Sequence, residues 1–361
     1  MEGRFTGRQS FRVGIMESIA IPMLCLPFFL VHFCGKWHFI GMIVGIIGVV
    51  IYSYVMYIYS QSVDMFSKSS RLIKLIYVAR YVLRAGIILS FFSYVVSIYF
   101  GVREIFGVII FAVLCGYGTG NNISKRGRIV EFLYGFTIFP LIAVGALLVS
   151  DVRWKEVVSV SGEFFYGGRD KGMLSILLGA YLVVLFLSNI EFMQFNFSLK
   201  RIDKEYTFYN FFKVIIWVII AVVLGYLFVI GSVGVEFLEK NPDSNWKVFG
   251  IWEFPGSFLL RLDYVLLLIL MIAIFGTISG CIFYSWLFVG TINEKMAARG
   301  RFIITACIAL LGLAMSLNGL SNVIFRFGIR YMIYFDLALS ILLPLLELCR
   351  KSGKKEGVEL E

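Results

Sequence analysis

Residues 173–195 read MLSILLGAYLVVLFLSNIEFMQF. The first fifteen carry no charge, and then Ser188, Asn189, Glu191 and Gln194 follow within seven positions. A bilayer core takes roughly 20 apolar residues per helix, so the run predicts a membrane span. The polar group at its end cannot all face hydrocarbon, because an ionisable side chain there is costly and turns toward a bundle interior or a cavity. Apolar length with a polar interruption decides the fold class, and the rest of the chain repeats the pattern.

Of the 361 residues, 60% are hydrophobic, 16% are charged and 36 are phenylalanine. A soluble domain carries about a quarter charged residues and under half apolar ones. The composition excludes a soluble globular enzyme, a disordered chain and a disulfide scaffold. The six cysteines show no CxxC or Cys/His metal spacing, and Cys25, Cys115, Cys281 and Cys307 sit inside apolar runs as small hydrophobes. Ten spans are expected, near 11–31, 38–60, 82–100, 104–118, 129–150, 173–195, 211–231, 262–290, 302–317 and 329–348. The first apolar run leads directly into further spans, so no cleavable signal peptide is expected.

Orientation follows Lys and Arg. With the N-terminus inside, the inner segments hold 22 of the 33 basic residues, among them Lys74, Arg80, Arg84, Lys125, Arg126 and Arg128. The net charge of +10 is then a topology signal and gives no support to nucleic-acid binding. Ten spans place both termini in the cytoplasm. The layout is a single integral membrane domain: a five-helix half over 11–150, a polar outer loop, a second half over 173–348, and a charged tail over 349–361. It permits two inverted repeats of LeuT-like type, which place a ligand site near the midplane where the first helix of each half is interrupted.

Four carboxylates lie in or near spans: Glu17, Glu131, Glu191 and Asp336. Glu17 stands beside Ser18 and ahead of Pro22 and Pro27, and two prolines in one span favour a break. Glu17 is read either as a ligand or cation contact at that break, or as an interfacial carboxylate paired with an N-terminal arginine. Glu191, with Asn189 and Gln194, marks the matching break in the second half. Glu131 is expected in an interfacial ion pair, given Arg126 and Arg128 nearby. Asp336 pairs with an arginine or lines a cavity. Gly276-Thr277-Ile278-Ser279-Gly280 reads as a close helix approach, with hydroxyl ligands as the alternative. Trp37, Trp154 and Trp252 fit interface anchors. Gly116-Tyr117-Gly118-Thr119-Gly120 lacks the Lys-Ser/Thr of a phosphate loop and reads as the inner end of the fourth span. The histidines are His32 and His38, too few for a metal site or a triad, so neither an enzyme nor a cofactor is expected.

Several local matches in order give the chain a resemblance to the spore-germination permeases, the integral-membrane B subunits of nutrient germinant receptors, within the amino acid–polyamine–organocation transporter superfamily. They are Leu26-Pro27, the basic inner loop Gly118–Arg128, Glu191, the signature Glu253-Phe254-Pro255-Gly256 with Arg261-Leu262-Asp263, and Leu343-Pro344-Leu345-Leu346. Members usually carry a Gly-rich stretch before the Leu-Pro, where this chain has Ser18, Ala20 and Pro22, and the proline that commonly follows the sixth-span Glu is missing. The resemblance implies a subunit that binds a small nutrient such as an amino acid and triggers germination from the spore inner membrane. Its partners would be a larger membrane subunit and a lipoprotein subunit. The ligand-binding residues expected are Glu17, Ser18, Asn189, Glu191, Gln194 and Thr277. The residues alone fit equally a proton- or sodium-coupled amino-acid permease, and a partner-binding subunit with a degenerate pocket stands beside both.

Overall fold

The computed structural model describes residues 6–62, 69–148, 152–154, 172–193, 208–240 and 262–317, together with Asp336, Leu339 and Leu342. All regular structure among them is helical. In chain order the helices are α1 (Gly7–Cys34), α2 (His38–Ser62), α3 (Arg71–Phe100), α4 (Glu104–Gly118), α5 (Ile123–Leu148), α6 (Gly172–Leu187), α7 (Phe208–Val233), the short α8 (Val235–Lys240), α9 (Leu262–Ile292) and α10 (Glu294–Leu317). A 3₁₀ turn, Gly35–Trp37, joins α1 to α2. Among the described residues, seven stretches are long and apolar enough to cross a membrane, the first running from Cys25 to Ser60 across that turn. The apolar α4 has 15 residues, about 22 Å of helix, less than the hydrocarbon thickness.

Nine of the ten expected spans thus coincide with helices, and the tenth lies outside the described residues except for its three helical positions. Local chemistry sets several ends. Thr6 and Gln9 form a reciprocal capping box at the start of α1. The Ser70 hydroxyl accepts from the Ile73 amide at the start of α3. Gly101, at φ +65°, closes α3 in the left-handed conformation that favours glycine. The α4 helix ends at Gly118 as expected, with Gly120 at φ +74° turning the chain into α5.

Two expectations need correction. The α1 helix is continuous through Pro22 and Pro27, where a break was expected. Tolerance of proline in a membrane helix depends on neighbours that re-satisfy the disturbed backbone. The carbonyl that Pro22 frees is that of Ser18; at the neighbouring Glu17 carbonyl the Thr277 hydroxyl of α9 donates at 3.1 Å and ties α1 to α9 beside the proline. The α3 helix begins at Arg71, eleven residues before the expected 82, so Lys74, Arg80 and Arg84 are carried into the bundle and buried. Arg126 of α5 is buried as well. All four are residues expected in the cytoplasmic segments, and the structure buries them among the helices instead of leaving them exposed.

The α1 helix is central, packing against α2, α5, α6, α7 and α9. The first helices of the two expected halves, α1 and α6, therefore meet. On the other side α3 packs along α9 and α10, and α4 fills in beside α3 and α10. Small residues permit the closest approaches. A Cβ on Gly41 of α2 would stand 2.9 Å from the Gly179 Cα of α6, and one on Gly276 of α9 would stand 3.0 Å from the Met16 carbonyl oxygen. Outward faces are apolar: Ile47, Ile51, Tyr54 and Ile58 form an exposed stripe on α2 at helical spacing. Phe132, Phe136 and Phe139 do the same on α5. Such stripes are costly in water and unremarkable in lipid, and the chain is a multi-pass membrane protein.

Candidate functional site

Among the described residues, six of the buried charged side chains fall into two separate groups. The first joins α1, α5 and α9. The Glu17 carboxylate, fully buried, accepts from Arg126 with Nη2 to Oε1 at 2.5 Å. The same guanidinium donates to the Ser279 hydroxyl at 3.0 Å and to the Gly276 carbonyl at 3.2 Å. The Tyr284 hydroxyl reaches Glu17 Oε2 at 3.4 Å, and the Phe283 ring lies 5.4 Å from the guanidinium carbon. Gly280 leaves the space: a Cβ there would sit 3.1 Å from both Arg126 Nη2 and Glu17 Oε1. One cation and one anion cancel, and hydrogen bonds take up most of the remaining polarity, Arg126 Nε having none among the described residues. This meets the condition under which a buried pair is tolerated.

The second group joins α2, α3, α6 and Asp336. Arg80 and Arg84 stand one turn apart on α3, so their side chains share a face. Arg80 Nη1 donates to Glu191 Oε2 at 2.8 Å, and its Nε donates to Asp336 Oδ1. Arg84 contacts Asp336 Oδ2 at 3.4 Å and Glu191 Oε1 at 3.6 Å. The Tyr52 hydroxyl of α2 adds a contact to Glu191 Oε2 at 3.4 Å. Two cations thus face two anions.

This lattice sits where α6 gives way to a 3₁₀ segment, Ser188–Ile190. A 3₁₀ stretch within a longer helical run often marks a functional hinge. The last turn of α6 leaves carbonyls without intrahelical partners, and a cation near a helix C-terminus is favourable. Arg84 supplies it, donating to the Ser188 hydroxyl at 2.6 Å and to the Leu185 carbonyl at 3.4 Å. The interruption expected in the sixth span is present, and an arginine from α3 holds it.

Beside the lattice is a cavity of about 60 Å³ between α1, α3 and α6. Ile21, Ile88, Phe91 and Phe186 supply apolar walls. Its polar end is Arg84, Asn189 and Asp336. At roughly 10–15 Å³ per water-sized centre the space holds about four to six waters, or one small solute.

The expected site residues are distributed as follows. Asn189 lines the cavity, and Glu191 stands in the ion lattice joined to it by Arg84. Glu17 and Thr277 are held together in the first group, away from the cavity lining. Ser18 is buried on α1, and its hydroxyl has no hydrogen-bond partner among the described residues. Gln194 lies outside the described residues, as do Trp252 and the signature Glu253–Arg261. Glu131 does form an ion pair, but with Arg12 and Arg8 of α1 rather than with its own neighbours Arg126 and Arg128. Among the described residues the ion-pair partner of Glu17 is Arg126 and not an N-terminal arginine. Asp336 both pairs with arginines and lines the cavity. The Gly276–Gly280 segment of α9 serves close approach and supplies hydroxyls, the latter to protein groups. Arg80, Arg84 and Arg126 went unrecognised as interior residues. The available signal was the register of Tyr77, Tyr81 and Arg84, which continues the buried face of α3 beyond its assumed start.

No protein-family model matches the chain, and no curated protein matches it. Among solved structures, the substrate-bound, outward-open state of a Na⁺-coupled sialic acid symporter superposes with a TM-score of 0.60 at 12% identity. The likeness covers 90% of this chain and 77% of the symporter. The fold is that of a membrane transporter. At this identity the likeness speaks for the fold alone.

Proposed function

We propose that the protein binds a small nutrient such as an amino acid in the cavity at the α6 interruption and serves as the integral membrane subunit of a spore nutrient germinant receptor. The observation that carries the binding reading is the cavity itself: apolar-walled and lined by the polar residues Arg84, Asn189 and Asp336 beside a 3₁₀ interruption. Ligand pockets are mostly apolar with a few placed polar groups, and transporter folds put them at interrupted helices. The receptor role rests on the sequence resemblance, above all Glu253-Phe254-Pro255-Gly256 and Arg261-Leu262-Asp263. In this reading the partners are a larger membrane subunit and a lipoprotein subunit, and the location is the spore inner membrane. Bound nutrient selects one arrangement of α1 against α6 and shifts a population instead of driving flux.

Replacing the chromosomal copy with an Asn189→Leu variant tests this reading. Spores should keep the protein at normal level and lose their response to the nutrient. An unchanged response at normal level removes the cavity from the account, and a normal response after deletion of the whole gene removes the germination role.

A coupled permease is the second reading, favoured by the likeness to a symporter. The two readings share the cavity and differ in whether solute crosses. A partner-binding subunit with a degenerate pocket is the third, and the uninterrupted α1 is the observation on its side.

A further inference from the structure

An amino-acid carboxylate bound in a transporter fold is held by free backbone amides where a helix is broken, because such amides form an anion site. That anchor does not exist here on α1. The helix is continuous from Gly7 to Cys34, so its amides beyond the first turn are spent on their own carbonyls, except at the two prolines, which have none. The cavity lies well past the first turn, at Ile21 and Cys25. A carboxylate entering it must find its donor elsewhere.

The polar inventory of the cavity supplies one. Arg84 Nη1 is buried and has no hydrogen-bond partner among the described residues; its nearest carboxylate oxygen is Glu191 Oε1, at a long 3.6 Å. The other terminal nitrogen, Nη2, is committed to Ser188 and Leu185. Two buried acceptors at the same end also lack hydrogen bonds among the described residues, Asn189 Oδ1 and Asp336 Oδ2. Arg84, Asn189 and Asp336 are each less than a tenth exposed. Arg84 Nη1 stands 3.6 Å from Glu191 Oε1, which likewise makes no hydrogen bond, and Asp336 Oδ2 stands 3.4 Å from Arg84 Nη2, so these charges are paired while their hydrogen-bonding capacity is unmet; Arg84, Asn189 and Asp336 all line one space. Arg80 Nη2 is also without a partner, but Arg80 does not line the cavity.

We infer that Arg84 on α3 is the carboxylate anchor of the ligand, replacing the backbone amides of a broken first helix, while Asn189 and Asp336 accept from the ligand's ammonium group. The inference rests on the amino-acid reading above and names the residues that would realise it. One donor and two acceptors at one end, with aliphatic and aromatic walls beyond, fit a zwitterion with a short apolar side chain. The small volume excludes a bulky one. Because Arg84 also holds the last carbonyls of α6, a carboxylate on Nη1 acts directly on the group that fixes the α6 interruption.

The test uses the full-length protein in lipid nanodiscs and measures binding of L-alanine, L-valine and L-leucine, each against its amide, which keeps the ammonium and lacks the carboxylate. A hydrogen bond to a charged group is worth about tenfold to a hundredfold in affinity. The wild type should bind the best acid at least tenfold more tightly than its amide. Arg84→Lys, which keeps the charge and loses the second arm, should lose about tenfold for the acid and change little for the amide. Asn189→Leu should weaken acid and amide alike. Equal binding of acid and amide by the wild type overturns the anchor without any variant having to fold. Undiminished acid binding by Arg84→Lys overturns it too. If folded wild-type protein binds none of the three amino acids, the amino-acid reading fails and takes the anchor with it; binding that ignores Arg84 sinks the anchor alone.

Discussion

Removing either partner of the Glu17–Arg126 pair should unfold the α1–α5–α9 junction far more readily than removing an ion pair at the bundle edge. The side chains are 0% and 1% exposed, so a lone survivor has no water to turn to. In Glu17→Gln the guanidinium of Arg126 keeps Ser279 and Gly276 but loses its counter-ion. Breaking a buried pair costs about 3–5 kcal/mol. An arginine at the centre of a membrane helix costs about 2.5–3.5 kcal/mol on insertion scales. Both routes meet near 3 kcal/mol for each single variant. At about 2 °C per kcal/mol for a large chain, the midpoint should fall by roughly 6 °C, read by tryptophan fluorescence during heating of the purified protein in detergent. The double variant Glu17→Gln/Arg126→Gln removes both charges and should lie no lower than either single, a coupling of at least about 3 kcal/mol. As a contrast, Arg12→Ala disturbs the pair with Glu131, whose side chains are 22% and 27% exposed, and solvent screening limits that loss to about 0–1 kcal/mol. Single variants that each cost under about 1 kcal/mol, or a strictly additive double, would refute the view that this junction is held by a buried ion pair.

The α2–α6 seam should be intolerant of one methyl group. In Gly179→Ala the new Cβ would stand 2.8 Å from the Gly41 Cα, so backbone must move, at about 1–3 kcal/mol. Gly135→Ala on α5 meets nothing within 4 Å and should be neutral or stabilise by up to about 1 kcal/mol, and the same heating assay distinguishes the two. Cys25→Leu should fill part of the cavity and abolish nutrient binding while the melting midpoint stays within a few degrees; retained binding would show that the ligand sits elsewhere. Tags at both termini should be protected from an impermeant reagent in intact cells, and labelling of a C-terminal tag would break the ten-span alternation.

How legible this was in the sequence depends on which force sets each feature. Burial of apolar length in lipid is local information, and α2, α4, α7 and α9 match the expected spans closely, while α5 and α10 begin six and eight residues before theirs. The interruption at Ser188–Ile190 was also local, announced by four polar residues after an uncharged run. The start of α3 was missed because Lys74, Arg80 and Arg84 look like an interfacial cluster when they are counted as charge. What buries them is the pairing of Arg80 and Arg84 with Glu191 and Asp336, more than a hundred positions away, and no local count reveals that. The same holds for α1. Two prolines argue for a break, while the helix runs on through both, packed against five neighbouring helices that lie far off in sequence or across a turn. Glu17 and Thr277 are expected among the ligand-binding residues, yet their company is Arg126, Ser279 and Tyr284 and they do not line the cavity.

The central claim is that a small nutrient binds in a transporter fold without being carried across. Liposomes containing the purified protein, offered radiolabelled small amino acids, test it most directly when binding and uptake are read from the same preparation. The account predicts saturable binding with no uptake above protein-free liposomes, whether or not a proton or sodium gradient is imposed. Saturable, gradient-dependent uptake would contradict it and make the protein a coupled permease.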